Sequence, residues 1–321
     1  MALGFGNSAA FAATASKTTA PATSDQELRI SPVKTDVTVA PGTTGTVKIL
    51  VTNLTSDTIT VQPIENDFVS GGEEGQAALI LSPSSYAPEH SLKRFMVPLS
   101  NFTLPPEGGT TVSAQITVPK NAQAGGYFGA VRFAPTIGNT PSNLSSVALG
   151  ESVASLILMT VPGPTVEQLS LTNFDIQQNG GTSSNFRTPN NLSLFLRFGN
   201  EGNLQESPVG QVDVQKGKKI LYTYNFNQSQ PQSEILPDSY RRWYIPLKGF
   251  GKFGEYTISG TFTYGSKGAT IDVQKTVWII PTGYIITGII VLVALILIIG
   301  GGYVFLKSYK RKILKASRRR Y

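Results

Sequence analysis

The chain has 321 residues, 40% of them hydrophobic and 15% charged, with a formal net charge of +7, no cysteine and one histidine, His90. The missing cysteines exclude disulfides, thiolate metal sites and cysteine nucleophiles, and a single histidine all but removes histidine metal clusters and Ser-His-Asp arrangements. Eight cations (Lys307, Lys310, Arg311, Lys312, Lys315, Arg318, Arg319 and Arg320) close the chain without an acidic residue among them. They leave 19 basic against 20 acidic residues elsewhere, so a nucleic-acid-binding body loses its support.

This length accommodates about two domains of 100 to 200 residues. Residues 1–27 read as a signal-peptide remnant or a flexible arm. The stretch "MALGFGNSAAFAATASK" lacks a basic start and a long apolar core, yet Ala10-Phe11-Ala12 and Ala13-Thr14-Ala15 match the small-x-small pattern of a signal-peptidase site. From Leu28 the pattern turns to period two, with Pro, Gly, Asn and Ser between short apolar runs. Val47, Ile49 and Val51 share one face of a strand, as do Val112, Ala114, Ile116 and Val118. Strands are expected near 28–39, 46–52, 58–63, 78–81, 94–97, 111–118, 127–133 and 152–161, which suits one β-sandwich over residues 28–162.

Three stretches of this module invite chemistry. "IENDFVSGGEEGQ" gathers Glu65, Asp67, Glu73 and Glu74 around a Gly-Gly turn. They are weak candidates for calcium, but the spacing matches no EF-hand, and a solvated hairpin is the simpler reading. His90 lies in a polar, Pro-containing loop with no nucleophile pattern beside it and is read as a surface residue. "NAQAGGYFGAVRF" lacks both GxxxxGK and GxGxxG spacing, so it reads as a turn feeding a core strand, with Gly129 leaving room for a neighbouring side chain.

"VPGPTVEQ" marks a boundary, and a second immunoglobulin-like sandwich is expected over residues 165–280. Leu192, Leu194, Leu196 and Phe198 share one strand face; Tyr256, Ile258, Phe262 and Tyr264 share another, with Gly260 between them. Further strands are expected near 166–174, 210–214, 219–225, 240–246 and 269–279. Tyr240, Arg241, Arg242, Trp243 and Tyr244 form the leading binding candidate, since aromatics interleaved with arginines can stack on a sugar or pair with an anionic wall polymer. A half-buried strand with arginines on its rim explains the same pattern.

From Tyr284 to Leu306 no residue is charged. Residues 284–306 therefore read as a transmembrane helix, because about 22 helical residues rise roughly 33 Å, the thickness of a hydrocarbon core. Trp278 and Tyr284 stand at one end of the span and Tyr303 and Tyr309 at the other, in keeping with aromatic interfaces. The eight cations of residues 307–321 form a topology signal, placing a basic tail in the cytoplasm and the body outside the plasma membrane.

"ISPVKTDVTVAPGTTGTVKILVTNLTSDTITVQPIENDF" resembles the opening of the membrane-anchored WxL-interacting surface proteins of Gram-positive bacteria, and "VPKNAQAGGYFGAVRF" resembles the strand closing their first module. The resemblance covers roughly Leu28 to Val161. It implies a first module associated with peptidoglycan and a second associated with host proteins, both carried on a single C-terminal span. "FGNEGNLQESPVGQVDV", "LPDSYRRWYIP" and "FGEYTISGTFTYG" look more like generic bacterial immunoglobulin-like domains, so host-protein binding is not carried over.

The expectation is an all-β, non-enzymatic, single-pass surface protein without a cofactor, in contact with the lipid bilayer and binding peptidoglycan or another cell-surface protein. The alternative is an accessory subunit of a surface or pilus-type assembly, in which an edge strand completes a partner's sheet. Asn53, Asn101, Asn143, Asn191 and Asn227 head N-x-S/T sequons.

Overall fold

The computed structural model describes residues 27–136 and 152–317. The expectations for residues 1–26, the Asn143 sequon and Arg318, Arg319 and Arg320 lie outside them. The first nine strands are β1 (Leu28–Ser31), β2 (Lys34–Thr38), β3 (Thr44–Asn53), β4 (Ile59–Ser70), β5 (Ala77–Leu79), β6 (Phe102–Leu104), β7 (Gly109–Thr117), β8 (Gly125–Thr136) and β9 (Val153–Val161). One sheet runs β1-β3-β7; the facing sheet runs β2-β9-β8-β4-β5, with β6 also on β4. All pairings are antiparallel except the parallel β2 and β9.

The alternation anticipated from sequence becomes the core. Val47, Ile49, Val51, Ala114, Ile116 and Val118 are buried together with Val131, Phe133, Ile157 and Met159. Two local expectations are corrected. The single strand over 28–39 is two strands in opposite sheets, parted at Pro32, which has no N–H to continue a ladder. The strand expected over 94–97 is a 3₁₀ turn, Lys93–Phe95, followed by one bridge from Met96 to Ile116.

The second set is β10 (Leu169–Gln178), β11 (Gly181–Thr182), β12 (Asn185–Phe186), β13 (Leu192–Asn200), β14 (Val209–Lys216), β15 (Lys219–Phe226), β16 (Ser239–Pro246), β17 (Gly254–Tyr264) and β18 (Ala269–Ile279). A four-stranded sheet, β11-β10-β13-β16, faces a five-stranded one, β12-β18-β17-β14-β15. Phe198, Phe226 and Phe262 meet edge-on or tilted at centroid distances of 5.2–6.0 Å in the core between them. Gly260 lies where a Cβ would stand 2.7 Å from the Phe262 ring and 3.0 Å from Phe174, so its missing side chain lets these aromatics close.

The fold is thus all-β, two immunoglobulin-like domains followed by one apolar helix, α1 (Thr282–Ser317). Its first 29 residues, Thr282–Lys310, are long and apolar enough to cross a membrane and none is buried against the protein. A core helix of a soluble domain would bury one face. The helix does not stop at 307, where the sequence suggested a separate tail, but runs on to Ser317.

Candidate functional site

The acidic stretch of β4 and its hairpin meets the aromatic-arginine strand β16 at the junction of the domains. Glu65 and Asp67 lie within β4, whose pairing with β8 continues through Asp67, rather than in a turn. Asp67 is fully buried and accepts hydrogen bonds from the Ala87 N–H (2.9 Å), the Ser91 hydroxyl (2.6 Å) and the Lys93 N–H (2.8 Å). Glu65 accepts from the Leu99 N–H at 2.8 Å. Both carboxylates therefore pin the 87–99 loop, which corrects the solvated-hairpin reading for these two residues.

Glu73 and Glu74 do sit at the hairpin tip, and they reach the second domain. Arg197 of β13 grips both Glu73 oxygens, with Nη2 donating at 2.7 Å and Nε at 3.0 Å; Arg242 of β16 donates to Glu74 at 2.6 Å. The Arg242 N–H also donates to the Glu73 carbonyl at 2.8 Å. The four acidic residues are thus committed to separate partners, and they do not converge on one cation. The Arg197 hydrogen bond, ahead of the opposing cost of burial, holds the Glu73 carboxyl below its ordinary range.

The aromatic-arginine strand divides between two faces. Arg242, Tyr240 and Tyr244 lie opposite Arg197, Gly199 and Phe195 on the outer face, whereas Arg241 and Trp243 belong to the inner one. Trp243 packs edge-on against Phe198 and Phe226 at 5.9 and 5.2 Å. Arg241 donates to the Glu234 carbonyl at 2.7 Å, and its guanidinium lies where a Cβ on Gly75 would collide with it, 2.0 Å away. Tyr240 stacks under Arg197 at 3.8 Å. Tyr240 and Tyr244 are both exposed on the outer face, Tyr244 with its ring 5.2 Å from that of Phe195.

Further seam contacts carried no sequence signal. Lys34 pairs with Glu234 at 2.6 Å. The Gly126 N–H donates to the Asn203 carbonyl (2.7 Å) and the Asn203 amide donates to the Ala124 carbonyl (3.0 Å). A Cβ on Gly125, whose φ is +144°, would lie 2.9 Å from that Asn203 oxygen. The glycines of "AGGYFG" therefore serve two purposes: Gly125 and Gly126 admit the second domain, and Gly129 admits Leu92, whose Cβ would be 2.9 Å away. Phe68, Phe128 and Leu158 of the first domain bury a small apolar patch with Leu236 of the second.

A groove follows this seam. A cavity of about 540 Å³ is lined by His90, Arg94, Phe95, Tyr127, Glu201 and Asp238 among others. It shares Pro88, Glu89, His90 and Asp238 with a second of about 300 Å³ on Phe68, Phe128 and Leu236. Phe68 and Leu236 also line a third of about 280 Å³ that reaches Lys34, Leu156 and Leu158. His90 is half-buried with φ +57°, and its Nδ1 donates to the Gly126 carbonyl at 2.6 Å, because a carbonyl can only accept. Nε2 then faces the Asp238 carboxylate at 3.9 Å. Glu89, His90 and Asp238 are the one group of three such ligands within mutual reach among the described residues.

Glu206 lies at the same end of the second domain, 4% exposed. Burial, and then the neighbouring Glu167 charge, push its pKa up to about 7, against one N–H donated by Gly265.

No family model matches the chain, and no curated protein matches it. Among solved structures it is similar to the class 5 fimbriae chaperone CfaA, at 12% identity over 79% of this chain and 99% of that one, with a TM-score of 0.40. The E. coli chaperone DraB follows at 15% identity, 78% and 96% coverage and a TM-score of 0.33. The Pseudomonas aeruginosa CupB2 chaperone gives 9% identity, 75% and 96% coverage and a TM-score of 0.29. The fold assignment rests on the sheets and cores described above.

Proposed function

We propose that this chain is a non-enzymatic, membrane-anchored surface protein whose two domains together hold a segment of another surface protein. The single observation that carries this reading is the seam groove: it is lined by both domains and combines an apolar floor at Phe68, Phe128 and Leu236 with polar ends at Lys34 and at Arg94 and Glu201. Wall polymer, the other partner of the sequence reading, would meet Tyr240 and Tyr244 exposed on the outer face, but Arg242 paired with Glu74 and Arg241 and Trp243 turned inward. Positive-inside reasoning supports a cytoplasmic C-terminus and an external body. The WxL-like opening of the first domain fits such a surface setting.

A second reading, an accessory subunit of a surface or pilus-type assembly, is favoured by β15, which among the described residues pairs only with β14 and so forms an eight-residue edge of the five-stranded sheet.

Photo-cross-linkers at Gln123 or Arg94, at Thr223 on β15 and at Thr111 on the far edge of the first domain distinguish the readings in native membranes. One discrete adduct from the groove positions, absent from Thr111, is expected. An adduct from Thr223 alone establishes the subunit reading, and retention on purified peptidoglycan that is unchanged by groove substitutions overturns the protein-partner reading.

A further inference from the structure

The end of the second domain that adjoins α1 is built from the 179–191 segment with its short strands β11 and β12, the 216–219 turn, the 247–253 loop and the chain joining β18 to α1. Strand pairing fixes this: Gly254 lies opposite Ile279, Gln178 opposite Leu192, Ser193 opposite Pro246, and β12 runs parallel to the end of β18. Only Ile280 and Pro281 separate β18 from the helix. Three residue steps reach about 11 Å at most, so the end of β18 on this face stands about one Debye length from whatever surrounds the first turn of α1.

The charge on the domain is polarised along that axis. Residues 179–191, 216–219 and 247–255 hold six cations (Arg187, Lys216, Lys218, Lys219, Lys248 and Lys252) and one acid, Glu255. All six cations are exposed. The loops at the opposite end, 164–168, 201–208, 227–238 and 265–268, hold five acids and one cation, Lys267. Aromatics stand among the membrane-end cations: Phe253 is 48% exposed with its ring 5.2 Å from that of Tyr284 in α1, and Trp278 is 39% exposed. Lys216 donates to the Phe253 carbonyl at 3.0 Å, which ties the turn to the loop.

We propose that this face is a lipid-docking surface that takes the phosphate groups of anionic phospholipids in the leaflet beside it. The proposal rests on reading α1 as a membrane span. Clustered lysines next to a span attract anionic headgroups, and Trp278 and Tyr284, the latter packed against Phe253, are amphipathic aromatics of the kind that settle at the headgroup level. Docking would hold the second domain upright on the bilayer and point the seam groove away from it.

The test uses the full chain in nanodiscs of neutral phosphatidylcholine and of the same lipid with about 30 mol % phosphatidylglycerol, followed by hydrogen exchange. Exchange in 216–219 and 247–253 is expected to slow about fivefold or more in the anionic discs. The protection should disappear in about 0.5 M salt and in the Lys218→Gln/Lys219→Gln/Lys248→Gln/Lys252→Gln variant. Unchanged exchange in β13 and β17 verifies that this variant is folded. Equal exchange in both lipids, with the chain inserted, overturns the docking proposal. A chain that fails to enter the discs overturns the span reading instead, and docking with it.

Discussion

Asp67 and Glu206 are both buried carboxylates, yet their surroundings set opposite consequences. Asp67 accepts three hydrogen bonds from the 87–93 loop, so Asp67→Ala strands three donors and should cost about 3 kcal/mol in urea unfolding. Glu206 has one donor and a like charge nearby, and its pKa is raised from 4.5 to about 7. Below 4.5 both folded and unfolded states are protonated and the group costs nothing. As pH rises from about 4.5 to about 7 only the unfolded state ionises, so stability falls and then levels off about 3 kcal/mol lower, at 1.36 kcal/mol per unit. Glu206→Gln should flatten the stability profile over that window and stabilise the protein at pH 8 by about 2 kcal/mol. A variant with an unchanged slope would contradict the assignment.

At the scale of elements, the β4-β5 hairpin and β16 explain what sequence could and could not convey. Period-two alternation located Val47, Leu194 and Phe262 in cores because burial on one face of a strand leaves a local signature. The pairing of Glu73 with Arg197 and of Glu74 with Arg242 spans well over a hundred residues, and nothing local announces it. Each partner alone looks like a ligand site. The Gly125-Gly126 pair was legible as a turn, but its close approach to Asn203 was not, because Asn203 sits in a stretch without pattern. A double-mutant cycle on Glu73→Ala and Arg197→Ala should give a coupling of about 1 kcal/mol, the pair being partly exposed. Glu73 is held ionised, so its contribution is complete above the ordinary carboxylate pKa and is lost as pH falls through the lowered one. Gly125→Val should weaken the seam by about 1–3 kcal/mol. Pulsed dipolar distances between one engineered cysteine per domain, straightforward in a chain with no native cysteine, would broaden if so. An unchanged distance distribution would contradict the seam role of this glycine.

At the scale of the whole molecule, the domains form one body with a groove along their seam, and a helix long and apolar enough to cross a membrane follows the last strand after two residues. The apolar helix was fully legible in the sequence because 23 uncharged residues from Tyr284 to Leu306 leave no other economical reading. The groove was not, since it exists only where Phe68 and Phe128 of one domain meet Leu236 of the other. The external orientation proposed for the body predicts that protease added to intact cells removes it and leaves the C-terminal segment protected. The most direct test of the central claim is photo-cross-linking from Gln123 and Arg94 in native membranes, repeated with Leu236→Asp in the groove floor. A single protein adduct that disappears with Leu236→Asp, while the domain-to-domain distances hold, is the predicted result. An adduct that survives Leu236→Asp, or none at all from the groove positions, would contradict the account.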